Sequence, residues 1–302
     1  MTDDAPVLVF ANAAAGSADD GEVESALRVL RESRAVDVVI PDHGEGLDEA
    51  AERAAGRDVV VLGGDGSLHA CIAALDRSGT LSRVRAIGLV PVGTGNDFAR
   101  TMDLPFDPAD AARVALHGRG KKIDLLHDDQ GGIAVNVVHA GIAAEATSHA
   151  EEVKGLLGAG GYAVGALWAG VDAHGWQLRV TVDDDVVTDG TQPVLMVSVA
   201  VGRSVGGGTQ VAPDASPFDG QAQVMVCTAT QPAARASFAL DLRRGRHTER
   251  DDVSVVRGRT ITVEATDEHP FGINTDGDLD GEHRSRTWTV QDDAWVCRTG
   301  GE

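Results

Sequence analysis

The sequence predicts an α/β N-terminal domain, a parallel sheet with helices on both faces, followed by a mainly antiparallel β-sandwich C-terminal domain. Over residues 1–122, short apolar β-type runs alternate with helical segments of about ten residues, as in a parallel sheet covered on both sides. From residue 123 onward the pattern becomes a series of short β-type runs broken by Gly, Asp and Pro clusters. The 302 residues suggest two domains at roughly 100–200 residues each. We divide them as 1–122 and 123–302, with the last strand free to return to the first domain.

Residues 6–11 form the first strand, ended by the turn-like Asn12-Ala13-Ala14-Ala15-Gly16-Ser17. Residues 22–34 place Val23, Ala26, Leu27 and Leu30 at helical spacing, with acids near the start, where the helix dipole favours them. A strand over 36–40, a helix over 47–55, a strand over 58–62, a helix over 67–75 capped by Ser67, a strand over 86–90 and a helix over 109–116 complete the half. In the second half, β-type runs fall at 123–126, 133–138, 177–182, 194–201, 221–227, 260–264 and 287–290. One helix is expected among them, over 162–171, approached through Gly155, Gly158, Gly160 and Gly161.

Composition limits the function classes. Forty-seven acidic residues against 26 basic ones give a net charge of −21, and the cations are 23 Arg and three Lys. No basic stripe exists to displace counterions from phosphates, which argues against nucleic acid as a partner. The acids are spread evenly rather than gathered in a tail, which favours adaptation to molar salt over docking to a basic partner. No apolar run reaches the roughly 18–20 residues of a membrane span, and Met1-Thr2-Asp3-Asp4 does not begin a signal peptide. A cytoplasmic location is expected. Cys71, Cys227 and Cys297 fit no metal spacing and read as buried thiols.

Two glycine-rich loops carry the chemistry. The strand over 58–62 runs into Gly63-Gly64-Asp65-Gly66-Ser67 at a helix start, in outline a phosphate cradle. Asp65 in such a loop orients a metal or accepts a proton from an attacking alcohol. The plain alternative is a tight β-to-α turn. The strand over 86–90 leads to a second loop, Pro91-Val92-Gly93-Thr94-Gly95-Asn96-Asp97-Phe98-Ala99-Arg100, whose plain alternative is an Asx-capped turn. In an open parallel sheet, ligands bind beyond the carboxyl ends of the strands, so both loops face one crevice. Neither loop is GxGxxG or GxxxxGK[ST], which disfavours a nicotinamide dehydrogenase and a P-loop NTPase.

The pair of loops, some 25 residues apart, resembles the diacylglycerol kinase catalytic-domain family, which includes bacterial-type lipid kinases and sphingosine kinases. The resemblance extends through Asn12 to Gly16, Lys121-Lys122-Ile123-Asp124-Leu125, Asn136 to Ala146, Gly206-Gly207-Gly208, Ala212-Pro213-Asp214-Ala215, Asp219-Gly220 and Asp276-Gly277-Asp278. It implies an ATP- and Mg²⁺-dependent kinase of a lipid alcohol, with the β-sandwich taking up the lipid chains and the protein meeting a membrane transiently. Asn12, Gly63, Gly64, Asp65, Gly66, Ser67, Gly93, Thr94, Gly95, Asn96 and Asp97 are then expected at the nucleotide, and Asp65 and Asp278 are the catalytic carboxylates. Either of the two is a candidate base. Asp219 is carried over as a structural Mg²⁺ ligand. Three positions depart from the family pattern: Ala13 for Pro, Ala70 for Glu and Asp278 for Glu.

Two other functions stay open. An NAD kinase shares a Gly-Gly-Asp-Gly loop and a β-rich second domain, with Gly93-Thr94-Gly95-Asn96-Asp97 as the feature against it. A non-catalytic nucleotide- or lipid-binding regulator is motivated by Ala13 and Ala70. Gly202-Arg203-Ser204-Val205-Gly206 satisfies the nucleophile-elbow string, but Gly207-Gly208-Thr209 follows where a helix is required. The sequence leaves a homodimer open. It shows no polybasic patch to draw the protein to an anionic membrane, so access to lipid is expected to improve with ionic strength.

Overall fold

Two compact units divide the chain, residues 1–124 with 293–302 and residues 125–292. The computed structural model describes residues 5–11, 20–40, 45–141 and 175–300.

In the first unit, β1 (Val7–Ala11), β2 (Val36–Val39), β3 (Asp58–Gly63) and β4 (Ala86–Pro91) run parallel in the order β2-β1-β3-β4. The end of the last strand, β18 (Ser285–Thr299), adds a parallel neighbour, Cys297 pairing with Ile87. Every residue of β1, β3 and β4 is buried, which is why these strands read as continuous apolar runs. On one face Val7, Val9, Val60, Leu62 and Val90 pack against Ala26 and Leu30 of α1 (Asp20–Ser33) and Ala111, Ala112 and Ala115 of α5 (Pro108–His117). A Cβ on Gly88 would lie 2.5 Å from the Ala115 Cα, so α5 rests directly on the β4 backbone. The alternate strand residues face the other side, where α3 (Asp65–Arg77), with α2 (Glu45–Glu52) beside it, packs on β3. The short α4 (Asp97–Thr101) completes the helices described in this unit.

The Ser67 cap is not found. Helix α3 begins two residues earlier, at Asp65, and its N-cap is Gly64, with no side-chain cap. The chain turns from strand to helix over one residue, and a Cβ on Gly63 would sit 2.3 Å from Ser67 Oγ. Helix α5 does carry a side-chain cap: Asp107 accepts from the Ala109 and Asp110 N–H groups, with Pro108 in the first turn.

Asp58 opens β3 at 3% exposure and ties three segments together. Arg34 after α1 reaches it at 2.8 Å and Arg298 of β18 at 3.0 Å. Removing a buried carboxylate strands both guanidinium groups. Asp58→Ala is expected to lower unfolding stability by about 3 kcal/mol in urea titration.

In the second unit, one sheet has the order β14 (Val253–Gly258), β13 (Ala222–Cys227), β10 (Met196–Ala200), β7 (Val137–Gly141), β16 (Phe271–Thr275), β17 (Asp278–His283), antiparallel throughout. The other sheet joins β18 to β15 (Thr260–Ala265), β8 (Leu178–Val182) and β9 (Asp185–Asp189), with β5 (Arg119–Asp128) and β6 (Ile133–Ala134) alongside. Val138, Val197, Val199, Val224, Val226 and Ile273 of the first sheet meet Val180, Ile261, Val263 and Trp288 of the second in one buried cluster, the interior of a β-sandwich.

The other face of the six-stranded sheet is covered by a helix that the sequence reading missed, α6 (Pro232–Arg243), through Phe238 and Leu242. Its buried residues are only Phe238, Ala239 and Leu242, too thin a stripe to stand out. Pro232 in its first turn, where the absent N–H costs nothing, was the available signal. Strands β9, β14, β16 and β17 were also missed; Val186 and Leu279 at these edges are exposed, and three of the six β17 residues are acidic. The helix expected over 162–171 and its glycine approach lie outside the described residues.

A polar row crosses the covered face. Cross-strand register aligns Asn274, His139 and Ser198 on β16, β7 and β10, and the Ser198 hydroxyl lies 3.3 Å from His139 Nδ1. Burial pushes the His139 pKa down to about 4, with the Asp276 carboxylate opposing the shift. The unfolded chain, with a histidine near 6.5, therefore binds a proton that the folded chain refuses. Stability is expected to fall as pH drops from about 6.5 toward 4, and His139→Gln to flatten that slope in unfolding titrations across the range. Burial lowers His247 in the same direction, so part of the slope persists in the variant.

Candidate active site

Strands β3 and β4 are in register, Leu62 with Val90 and Gly63 with Pro91, so their carboxyl-end loops emerge side by side. The loops then touch at backbone level. The Val92 N–H donates to the Gly63 carbonyl at 3.2 Å, and a Cβ on Gly93 would lie 2.5 Å from the Gly64 Cα. Only glycine fits such an approach.

Asp65 fastens the pair. Its Oδ2 accepts from the Asp97 N–H and its Oδ1 from the Phe98 N–H, both at 2.9 Å, so one carboxylate at the start of α3 caps the start of α4. Phe98 is buried and stacks on Trp295 at 5.7 Å, which fixes α4 from below. Asn96 sits in the left-handed region at φ 54°, and its amide closes a ring with Gly93, donating to its carbonyl at 2.6 Å and accepting from its N–H at 3.2 Å. That side chain shapes its own loop, while Thr94 is exposed and Asp97 buried. Gly66 is exposed in the first turn of α3, and a Cβ there would meet nothing within 4 Å. Gly costs a helix about 1 kcal/mol relative to Ala, and nothing in the described chain requires it there.

In the second unit, Asp276 and Gly277 form a two-residue hairpin between β16 and β17, with φ of 51° and 104° as a type I′ turn requires. The sequence reading picked Asp278 from this segment and passed over Asp276. Asp276 holds the chain before β7: Oδ2 accepts from Val135 at 2.7 Å, and Oδ1 from Asn136 at 3.0 Å and Val137 at 2.9 Å. Asp-Gly after a β-type run was the signal for it. Asp278 starts β17 and is exposed. The hairpin is gripped further along by Arg286, 3% exposed, which pairs with Asp280 at 2.9 Å and with Asp128.

Asp219 is paired with Arg257 and accepts from the Gln221 N–H at 3.2 Å. Among the described residues no group of three or more His, Cys, Asp or Glu is placed to hold a metal ion. Burial raises the pKa of Cys71, Cys227 and Cys297. Ser204 of the elbow-like string is buried in β11 (Ser204–Val205), which pairs with β12 (Thr209–Gln210) instead of leading into a helix. Asn12 lies outside the described residues. The structure thus brings together Gly63, Gly64, Asp65, Gly93, Asn96 and Asp97 in the first unit, with Gly66, Ser67, Thr94 and Gly95 on the same two segments; Asp278 and Asp219 belong to the second.

A glycine-loop α/β unit with a β-sandwich unit is the architecture of a two-domain kinase, and comparison with known proteins bears this out. Residues 6–127 match the diacylglycerol kinase catalytic domain, and residues 136–292 match the YegS C-terminal NAD kinase beta sandwich-like domain. A Cronobacter sakazakii protein named "Probable lipid kinase YegS-like" is 27% identical over 279 residues, 88% of each chain. A protein of the same name from Chromohalobacter salexigens is 29% identical over 233 residues, 76% of this chain and 72% of that one. A solved diacylglycerol kinase structure from Bacillus anthracis str. Sterne, 21% identical, superposes with a TM-score of 0.77 over 99% of both chains. The chain belongs to the diacylglycerol kinase catalytic-domain family of lipid kinases, phosphotransferases with an alcohol as acceptor.

The two glycines separate structure from function. Gly93→Ala is expected to lower stability by roughly 1–3 kcal/mol, because its Cβ drives into the Gly64 backbone. Gly66→Ala is expected to leave stability unchanged or raise it by up to about 1 kcal/mol. Thermal unfolding of the two variants checks the contrast.

Proposed function

We propose that the protein transfers the γ-phosphoryl group of ATP to the hydroxyl of a diacylglycerol-like or other lipid alcohol, with Mg²⁺, at a membrane surface. The observation that carries the reading is the Asp65 carboxylate fastening two glycine loops whose backbones touch, beside a helix turn left bare at Gly66. That bare turn is a cradle that a Cβ would partly fill, and it suits a phosphate approaching the amides of the α3 start. The Asp65 carboxylate supplies oxygens of the kind that a hard cation such as Mg²⁺ takes. Bound there, Mg²⁺ supplies charge neutralisation for the phosphate oxygens.

The chain's own residues do the rest. The amides near Gly64 and Gly66 hold phosphate oxygens, and Asp65, held by two amides, provides a fixed negative charge. Asp65 and Asp278 are the two candidate acceptors of the hydroxyl proton. The lipid oxygen forms the new bond to phosphorus, the bond to the bridging oxygen breaks to release ADP, and the hydroxyl proton passes to a carboxylate. Asp219 stays with Arg257 and is left out of the reacting set.

The matched β-sandwich model carries NAD kinase in its description, so NAD belongs in the acceptor panel. Labelled ATP with Mg²⁺ and dispersed lipid alcohols is expected to give labelled lipid, and label on NAD alone would overturn the reading. Binding of ATP and lipid with no transfer would point to a regulator. Asp65→Asn is expected to lower kcat at least about a hundredfold and to raise the KM for ATP. A lower kcat for Asp278→Asn with little change in that KM would assign the base to Asp278, an unchanged kcat would assign it to Asp65, and Gly66→Ala should raise that KM in a stably folded protein.

A further inference from the structure

A cationic patch, which the sequence reading passed over in finding no polybasic patch, stands against the overall charge of −21. Residues 231–250 contain five arginines (Arg235, Arg243, Arg244, Arg246 and Arg250) against Asp241 and Glu249, a surplus of three, which leaves −24 for the remainder of the chain. Helix α6 and the turn after it display these charges. The inner face of α6 is anchored by Phe238, Ala239 and Leu242. Ala233, Ser237, Leu240 and Arg244 recur on its exposed face, and Leu240 is 43% exposed. Gly245, at φ 68°, ends the helix and sets Arg246 in the turn.

The cations here differ in their partners. Arg250 is bound to Asp241 and Asp252, and Arg246 reaches Asp241 at 3.5 Å. Arg243 and Arg244 are exposed and have no ion-pair partner among the described residues. In the basic segment 113–122, Arg113 is matched by Asp110 and Lys122 by Asp293, while Arg119 is exposed with no ion-pair partner among the described residues. Cations at a helix C-terminus complement its dipole, but that accounts for no exposed leucine one turn before them. An exposed leucine one turn before two exposed arginines offers an anionic surface one apolar and two cationic contacts.

We infer that this face of α6, Leu240 with Arg243 and Arg244, docks the protein on an anionic lipid surface. The inference rests on the lipid-kinase reading for its partner, since an enzyme acting on a membrane-held alcohol has to reach that surface. It also narrows the salt expectation. Long-range repulsion by the acidic remainder is screened once the Debye length falls to about 10 Å near 0.1 M salt, while arginines at the surface still act within that distance. At about 1 M the length is near 3 Å and the local attraction fades as well. Binding therefore passes through a maximum with ionic strength.

Sedimentation of the full chain with vesicles of phosphatidylglycerol and phosphatidylcholine, 1:1, against pure phosphatidylcholine tests this. Binding to the anionic vesicles at 0.15 M KCl, weakening at 1 M, is expected. Each arginine near such a surface is worth about fivefold in partition, so Arg243→Gln/Arg244→Gln should bind roughly thirtyfold more weakly with an unchanged Tm. Equal binding by wild type and variant, or equal binding to both vesicle types, would overturn the docking face. Phosphorylation of a detergent-dispersed lipid alcohol should be the same for both proteins. A variant defective there as well would place these arginines in the reaction and overturn the docking role. Arginine-dependent vesicle binding without lipid phosphorylation by either protein would leave the docking face standing and remove the lipid-kinase reading.

Discussion

The Asp65 carboxylate, accepting one amide from Asp97 and one from Phe98, is the interaction on which the candidate site depends. It converts two loops at neighbouring strand ends into one rigid piece. The backbone contact of Gly64 with Gly93 makes the joint close, and the Asn96 amide ring keeps the second loop in the shape that allows it. Each part needs the others: without the glycines the loops cannot approach, and without the carboxylate the first amides of α4 lose their acceptor. Preorganisation of this kind matters for phosphoryl transfer, where positioning and charge placement do most of the work.

The same device recurs through the molecule. Asp276 gathers the amides of residues 135–137, Asp107 caps α5, Asp128 accepts from the Gln130 and Gly132 amides, and Asp183 from those of Arg259 and Thr260. A short carboxylate bonds nearby backbone amides easily, and Asp, Asn, Ser and Thr all use this at turns and caps. The acidic composition therefore has two sources. Part lies on the surface as solvating charge, and part serves as backbone acceptors that hold turns. The excess of Asp over Glu, 33 to 14, agrees with the second.

Legibility followed burial. Strands β1, β3 and β4, buried on both faces, are continuous apolar runs in the sequence and their positions were expected. Edge strands such as β9 and β17 expose most of their side chains, so they leave little hydrophobic trace. Helix α6 was hidden for a related reason, since one thin stripe faces the sheet while its other side meets solvent. In the site, the glycine spacing was legible because a close backbone approach demands glycine wherever it occurs. The role of Asp276 was not, because its partners at 135–137 are some 140 residues away along the chain.

The sequence by itself determined the α/β and sandwich architecture, the two glycine loops and the kinship they carry, since these depend on local pattern and on residue types that nothing else can replace. Tertiary structure decided which aspartates serve the backbone. It bound Asp65 to two amides, turned Asn96 back onto its own loop, put Asp276 in place of its neighbour as the latch of the hairpin, and left Arg243 and Arg244 without an ion pair among the described residues. Such assignments depend on hydrogen-bond partners and counter-charges that are distant in sequence, and a charged side chain reads the same until folding brings its partner within about 3 Å.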